Sequence, residues 1–536
     1  MLNIKREIVL ALSLSAFCLM SMAQEKRRPN VIIILADDMG YSDIGSFGSE
    51  INTPNLDEMA SQGLKMTQFY NASRCCPTRA SLLTGLYQHQ AGVGDMMNTR
   101  PQPAYQGYLN DNCVTIAEAM KISGYHTFMA GKWHVGQAPD NWPLKRGFDR
   151  YFGLIDGAGS YFGPAPYRPN QTITIALDDK PTQPGAGYYS TDAYTDYALR
   201  FIEEKRSTKK PFFLYLAYQA PHWPLHALPE DIAKYKGKYL KGWDELRKER
   251  FLRMKKQGIL NENAELSARD ERVPAWETLS KAEQENWDQN MAVYAAMIDR
   301  MDQNIGRLRE RLKEIGEDEN TVIMFLSDNG ASNESIRGNG FLPSIIEASK
   351  RPAGPADSFT AYGFHGANLS NTPFRLFKHW EYEGGTATPF LAFGPSIVKP
   401  GTVSEQPGHI IDLMSTCLDL AGGSYPESFK GKSVKPTSGL SLVPLMKGER
   451  WAGHDALFFE HEGNRAVRRG KWKLVSNFPD NKWHLYDMEA DRSELHDLSG
   501  RNPDKVKELS ELYEKWAARS EVIPFEQLTQ RATDKF

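Results

Sequence analysis

Two stretches of this chain are long, continuously apolar and rich in β-branched residues, and each stops at an acidic pair. Val31-Ile32-Ile33-Ile34-Leu35-Ala36 runs into Asp37-Asp38-Met39-Gly40, and Thr321-Val322-Ile323-Met324-Phe325-Leu326-Ser327 runs into Asp328-Asn329-Gly330. Without polar alternation neither run can have a solvated face. Each reads as a strand covered on both sides, which belongs in a parallel or mixed sheet with helices above and below. Ligands of such open sheets gather outside the carboxyl ends of the strands, so the two acidic pairs are expected to converge on one site. Three Asp and one Asn carbonyl make an all-oxygen donor set, which suits a hard cation, Ca2+ or Mg2+, and not zinc. Taken singly, either pair reads better as a helix N-cap or an Asx turn after a strand; it is the two together, with the Cys motif between them, that point to a site.

Between the two runs lies Cys75-Cys76-Pro77-Thr78-Arg79, leading into the small and apolar Ala80-Ser81-Leu82-Leu83-Thr84-Gly85. More ionisable side chains follow strand-like runs. Gly131-Lys132-Trp133-His134 comes after Gly124–Ala130, Ala220-Pro221-His222 comes after Phe212–Tyr218, and Lys378 lies five residues before Glu383-Gly384-Gly385. Alone, a Cys ahead of a Pro-led helix has a buried thiol as its alternative reading, and a lone His or Lys at a strand end is structural or solvated. Several other chemistries fail on spacing. A tyrosine-phosphatase loop needs Arg six residues beyond its Cys, where this chain has Ser81 or Leu82. The Cys residues form no paired CxxC sets, and His461-Glu462-Gly463-Asn464-Arg465 lacks the second His of a zincin. No glycine loop ends in Gly-Lys-Ser/Thr.

Together and in this order, the motifs resemble those of the type I, formylglycine-dependent sulfatases of the alkaline phosphatase-like superfamily, and most nearly the bacterial arylsulfatases. The likeness runs from Pro29 to about Leu498. It implies an α/β fold: a large mixed sheet sandwiched by helices, with a smaller C-terminal antiparallel sheet plus helix. It also implies that Cys75 is converted to formylglycine, whose hydrate attacks sulfur. Asp37, Asp38, Asp328 and Asn329, with the modified Cys75, would hold Ca2+, with Mg2+ the lesser candidate. Lys132 and Lys378 would clamp the sulfate oxygens and Arg79 would hold the hydrate. His222, assisted by Lys378, would protonate the leaving oxygen, and His134 would take the proton whose loss eliminates sulfate. Fixed positive charge suits such a reaction, because its transition state spreads charge over non-bridging oxygens. A separate sulfatase-maturing enzyme would act before export.

The expected substrate is a sulfated small molecule or glycan, with sulfated galactose or hexosamine favoured and aryl sulfates as surrogates. A phosphonate or phosphate ester hydrolase of the same superfamily, and a catalytically silent glycan-binding relative, are the alternatives. His461 and Arg465, in a C-terminal subdomain that resembles the one beside the sulfatase active-site mouth, are candidate substrate contacts. Surface charge and turn chemistry explain them as well. Tyr41, Arg100, Tyr161 and His365 neighbour motifs and read either as pocket rim or as structure.

At 536 residues the chain can bury a large core, and its net charge of −3 gives no nucleic-acid signature. Residues 1–23 read as a signal peptide, with Lys5-Arg6 ahead of an apolar stretch and Ser21-Met22-Ala23 before Gln24. That stretch is short for a membrane span, so an exported, periplasmic protein is expected. After its removal Cys75, Cys76, Cys113 and Cys417 remain, too few to staple such a domain, and a Cys76–Cys113 bridge is left open. The predicted organisation is a catalytic domain over 24–430, with a charged, solvated helical insert at 231–290, and a C-terminal subdomain over 431–536. Residues 153–187, rich in Gly, Pro, Tyr and Asn, read as a loop region at the pocket rim. A hairpin is expected around Glu462-Gly463-Asn464, and an amphipathic helix over Val506–Ala518.

Overall fold

The computed structural model describes residues 27–528, so the expected leader at 1–23 lies outside the described residues. The strands are β1 Asn30–Ala36, β2 Leu64–Tyr70, β3 His126–Gly131, β4 Arg150–Leu154, β5 Ile175–Leu177, β6 Lys180–Pro181, β7 Phe212–Ala217, β8 Thr321–Ser327, β9 Ala387–Phe393, β10 Thr402–Ser404 and β11 Gly408–His409. They form one mixed sheet in the order β10-β2-β9-β8-β1-β7-β3-β4-β5-β6, with β11 also on β2. At its centre β8, β1, β7, β3 and β4 are parallel. β9 is antiparallel to both β8 and β2.

The unbroken apolar runs are what a two-sided core demands. In β1, Ile32, Ile34 and Ala36 enter one core while Val31, Ile33 and Leu35 enter the other, all without exposed surface. The first core is closed by helix Lys281–Glu314, 34 residues long and started by a Ser280/Glu283 capping box. The second is closed by helices Cys75–Thr84, Ile116–Ile122 and Asp412–Ala421.

This arrangement delivers every motif to one edge. Asp37-Asp38, Lys132–His134, His222 and Asp328-Asn329 follow the carboxyl ends of β1, β3, β7 and β8. Because β9 runs the other way, the loop before it, which carries Lys378, reaches the same edge. β2 is parallel to β8, so Cys75 arrives there too.

The expected insert is corrected in two respects. Its last residues, from Lys281, are the first turns of the long core helix. Helix Trp243–Lys256 is also not a solvated cover. Arg250 has no exposed surface and pairs with Asp43 and Glu50 at 2.7 Å each. Asp43 in turn accepts from Gly40 N–H at 2.9 Å and Tyr294 O–H at 2.7 Å. The insert therefore braces the turn that follows Asp37-Asp38.

After the short hairpin β12 Ser428–Phe429 and β13 Lys432–Ser433 come β14 Leu457–His461, β15 Asn464–Arg469, β16 Trp472–Ser476 and β17 Trp483–Asp487, an antiparallel sheet in chain order. Helix Pro503–Arg519 packs Tyr513 and Trp516 against Phe458, Val467, Leu474 and Leu485 of that sheet. Cys76 and Cys113 are both buried and free; the Cys76 thiol lies 3.6 Å from Met96 Sδ and that of Cys113 3.2 Å from Asn110 O.

Candidate active site

Cys75 opens helix Cys75–Thr84, all of whose residues are buried. Its thiol, His134 and Cys76 have ligand atoms within 4.8 Å of one another. A hydrogen bond from Cys76 and the charges of Lys132, His134 and Lys378 outweigh burial and pull the Cys75 thiol well below its ordinary pKa. Position 75 thus favours an anion.

Around it three buried carboxylates face three buried cations. Lys132 Nζ donates to Asp37 Oδ2 at 2.5 Å, and Lys378 Nζ lies 2.8 Å from Asp38 Oδ1. Arg79 donates through Nε and Nη2 to Asp328 Oδ2 at 3.2 and 2.8 Å, and through Nη1 to Lys132 O at 2.8 Å. Every donor of Arg79 placed by these bonds is committed to Asp328 and the Lys132 loop. It thus positions Asp328 and the Lys132 backbone.

Burial raises both Asp37 and Asp328, Asp328 to about 8 beside the charge of Asp37. At Asp38 burial pushes the same way, but Lys378 and His222 outweigh it and the carboxyl sits below its usual range. Asn329 Nδ2 donates to Asp38 Oδ1 at 2.6 Å. Asp37 Oδ1 and Asn329 Oδ1 are buried oxygens without a hydrogen-bond donor. Two bare oxygens beside Asp38, in a nest where burial resists further negative charge, fit a hard divalent cation.

His222 Nδ1 lies 2.6 Å from the carbonyl of Trp223, which only accepts, so the ring proton is on Nδ1 and Nε2 faces Asp38 Oδ2 at 3.4 Å. Burial holds both His222 and His134 down, to about 4 each. His134 (φ 55°) and Asp38 (φ 66°) sit in the left-handed region that L-residues avoid, as strained functional positions do.

Several supporting residues carry no sequence motif. Glu334 Oε2 accepts from Trp223 Nε1 at 2.7 Å and lies 3.3 Å from Lys378 Nζ, while Arg74 pairs with its other oxygen at 3.0 Å. Gly157 lies over His134, where a Cβ would come within 2.3 Å of Nε2. The Glu383-Gly384-Gly385 motif also has a packing basis: a Cβ on Gly384 would lie 2.2 Å from Leu376 O and one on Gly385 1.8 Å from Trp380 O, while a Cβ on Gly330 would lie 1.8 Å from Gly384 O, so bare backbone lets the Lys378 loop fold tightly and dock on the Asp328-Asn329 loop.

Of the other candidates, Tyr161 donates its O–H to the carbonyls of Gln219 and His222 at 2.8 and 2.9 Å and so shapes the His222 turn. Tyr41 donates to Thr67 O, Arg100 pairs with Asp95, and His365 stacks on Trp287 at 3.8 Å. These three are structural. In the 153–187 region, Tyr167 meets Trp223 edge to face at 5.4 Å, next to His222. His461 has no exposed surface and its ring centroid is 5.5 Å from that of His379, the residue after Lys378. Arg465 is a correction. It follows Asn464, whose side chain turns to His379, so strand alternation sends Arg465 to the other face. There its guanidinium lies over Trp483 and Tyr513, 4.7 and 5.9 Å from the ring centroids.

A buried carboxylate nest at the carboxyl edge of a mixed sheet, with a nucleophile-bearing helix start beside it, defines an ester hydrolase of the alkaline phosphatase-like fold. The Sulfatase family model matches residues 29–424, and the model for the C-terminal part of N-sulphoglucosamine sulphohydrolase matches 374–519. The chain belongs to the sulfatase family and is a sulfuric ester hydrolase. It is 38% identical to an arylsulfatase of Klebsiella aerogenes over 79% of this chain and 93% of that one. It is 34% identical to an uncharacterized sulfatase of Schizosaccharomyces pombe over 93% and 95%. Among solved structures it resembles Ps i-CgsB in complex with k-i-k-neocarrahexaose, with a TM-score of 0.67, 28% identity and coverage of 92% and 93%. Sulfatases generally use a metal ion and formylglycine.

Proposed function

We propose that this protein hydrolyses the sulfate ester of a sulfated glycan, with Cys75 as the site of formylglycine formation and Ca2+ at Asp37, Asp38, Asp328 and Asn329. The observation that carries the reading is Cys75 itself, a buried anion-favouring residue ringed by Lys132, His134 and Lys378 and set beside bare carboxyl and carboxamide oxygens. When present, the cation would supply Lewis acidity toward a sulfate oxygen, and the aldehyde hydrate would supply a nucleophile that can later be expelled.

The chain's own residues account for the rest. Lys132 and Lys378 bind the sulfate oxygens and offset their charge. Arg79 keeps Asp328 and the Lys132 backbone in place. His222 has its Nδ1 proton committed to Trp223 O, so the proton it passes to the leaving oxygen is carried on Nε2. The sulfate's negative charge offsets the two lysines and lets Nε2 take up that proton. His134 accepts a proton at a ring nitrogen from the group at position 75 as sulfate departs. The leader reading of residues 1–23 supports maturation by a separate enzyme followed by export to a periplasm. A glycan is favoured because the structural relative cited above was solved with a neocarrahexaose.

The test is a side-by-side assay on 4-nitrophenyl sulfate and 4-nitrophenyl phosphate with Ca2+, using protein co-produced with a sulfatase-maturing enzyme. Sulfate turnover that vanishes in Cys75→Ala is expected. Preference for the phosphate ester would move the chain to the phosphoesterase branch.

A further inference from the structure

One carboxylate at the edge of the site holds three of its segments at once. Glu334 lies six residues beyond Asp328, in the loop that follows β8. Its Oε2 accepts from the indole Nε1–H of Trp223 at 2.7 Å and from Ser332 Oγ at 3.3 Å, and lies 3.3 Å from Lys378 Nζ. Its Oε1 pairs with Arg74 Nη1 at 3.0 Å. Burial would raise the carboxyl, but the charges of Lys378 and Arg74 outweigh it and hold it well below its usual range. Glu334 therefore stays ionised.

Trp223 links that carboxylate to the proton donor. Its carbonyl accepts from His222 Nδ1 at 2.6 Å and so fixes which ring nitrogen is left to face the leaving oxygen. Its ring meets Tyr167 and Phe341 edge to face, at 5.4 and 6.1 Å, and lies 4.7 Å from the His222 ring. Apolar ring contacts hold an orientation more loosely than a short directional hydrogen bond does. The indole has one polar atom, Nε1, and it only donates. The 2.7 Å bond to Glu334 therefore fixes the indole, and the indole lies against the imidazole that must be kept in place.

Lys378 is tied to the same loop at both ends. Its backbone N–H donates to Ala331 O at 3.1 Å, and its ammonium lies 3.3 Å from Glu334 Oε2 and 2.8 Å from Asp38 Oδ1. A lysine stem is flexible, and two carboxylates together select one of its conformers. Without Glu334 the ammonium would be free to close on Asp38 alone. In the proposed reaction His222 protonates the leaving oxygen, with Lys378 assisting. Glu334 touches Lys378 directly and reaches His222 through Trp223, and among the described residues no other carboxylate contacts both Trp223 and Lys378.

We propose that Glu334 is a positioning residue for departure of the alcohol, holding His222, through Trp223, and Lys378 in one register at the leaving oxygen. The inference rests on the sulfatase reading of the Cys75 site and adds to it the residue that aligns proton transfer with bond cleavage. As the nucleophile bonds to sulfur, the sulfur–oxygen bond to the alcohol breaks, its electron pair stays with that oxygen, and the proton on His222 Nε2 neutralises it. A misaligned donor leaves more negative charge on the departing oxygen, so the reaction becomes more sensitive to the leaving group.

The test compares kcat/KM across substituted phenyl sulfates of rising leaving-group pKa, from 4-nitrophenyl to phenyl. It uses the matured protein, Glu334→Ala, Glu334→Gln, Trp223→Phe, and the double variant of Glu334→Ala with Trp223→Phe. In Glu334→Ala the loss on phenyl sulfate should be about tenfold larger than on 4-nitrophenyl sulfate, because a poorer leaving group depends more on the proton. Glu334→Gln should fall between, since its carboxamide oxygen still accepts from the indole, and it carries the same comparison if Glu334→Ala does not fold. Trp223→Phe keeps a ring and loses the N–H; it should steepen the dependence too, yet add little to Glu334→Ala. Equal loss along the series would overturn the proposal and reduce Glu334 to a general support for the site. Full addition of the two losses would overturn the link through Trp223. Failure of the underlying sulfatase reading is seen separately, as no turnover of 4-nitrophenyl sulfate by the matured, unsubstituted protein.

Discussion

At the scale of single residues, His222 carries the sharpest expectation. Its Nδ1 is tied to Trp223 O, so only Nε2 can serve the leaving oxygen. An aryl leaving group as acidic as nitrophenol needs little protonation, whereas a sugar hydroxyl needs a full proton. His222→Ala should therefore lower kcat/KM on alkyl or sugar sulfates by about 10²–10⁴ and on 4-nitrophenyl sulfate far less, read from parallel steady-state kinetics. Equal losses would remove the general-acid role. Much of this inner ring was legible in the sequence, because Asp37, Lys132 and Asp328 stand directly beyond apolar strands and the other members fall in short motifs close by. The residues that support it were not. Glu334, Arg74 and Gly157 lie in loops and obey no period, and they matter only through contacts made after folding. Arg465 and His461 are four residues apart and looked alike in sequence; the two-residue turn and strand alternation send them to different faces.

Among the elements, the least readable feature is how the small sheet joins the large one. Lys473 of β16, fully buried, lies 2.9 Å from both Glu383 and Glu494, and Arg492 lies 3.2 Å from Glu383. Nothing in the sequence pairs these residues, which come from separate segments. The charges of Lys473 and Arg492 outweigh burial and hold Glu383 below its usual range, while burial raises Glu494 from 4.5 to about 7. Between those two values the folded chain keeps a proton that the unfolded chain has lost. Glu494 therefore makes stability fall as pH rises from about 4.5 to 7. Glu494→Gln should flatten that fall, by about 1–2 kcal/mol across the window, in denaturant unfolding series at several pH values. An unchanged slope would place the effect elsewhere. The apolar strands and the Cys75 helix were legible because period and punctuation mark them, and helix Pro503–Arg519 contains the expected amphipathic stretch. The insert was misread because charge alone suggests solvent, whereas Arg250 is buried against Asp43 and Glu50.

For the molecule as a whole, one edge of one sheet gathers six segments that are distant in sequence, and the acidic nest there couples cation binding to stability. Ca2+ at about a hundred times its Kd should raise stability by about 2.7 kcal/mol, seen as a higher thermal midpoint that a chelator reverses. Asp38→Asn should abolish that response. The response should also weaken in acid, because protons compete for the carboxylates. No helix among the described residues is long and apolar enough to cross a membrane.

The most direct measurement is turnover of 4-nitrophenyl sulfate against the fraction of Cys75 converted to the aldehyde, read by mass spectrometry of its peptide across preparations made with and without a sulfatase-maturing enzyme. Turnover should rise in proportion to that fraction and extrapolate to zero at full thiol. Undiminished turnover in protein whose Cys75 is wholly thiol would contradict the account.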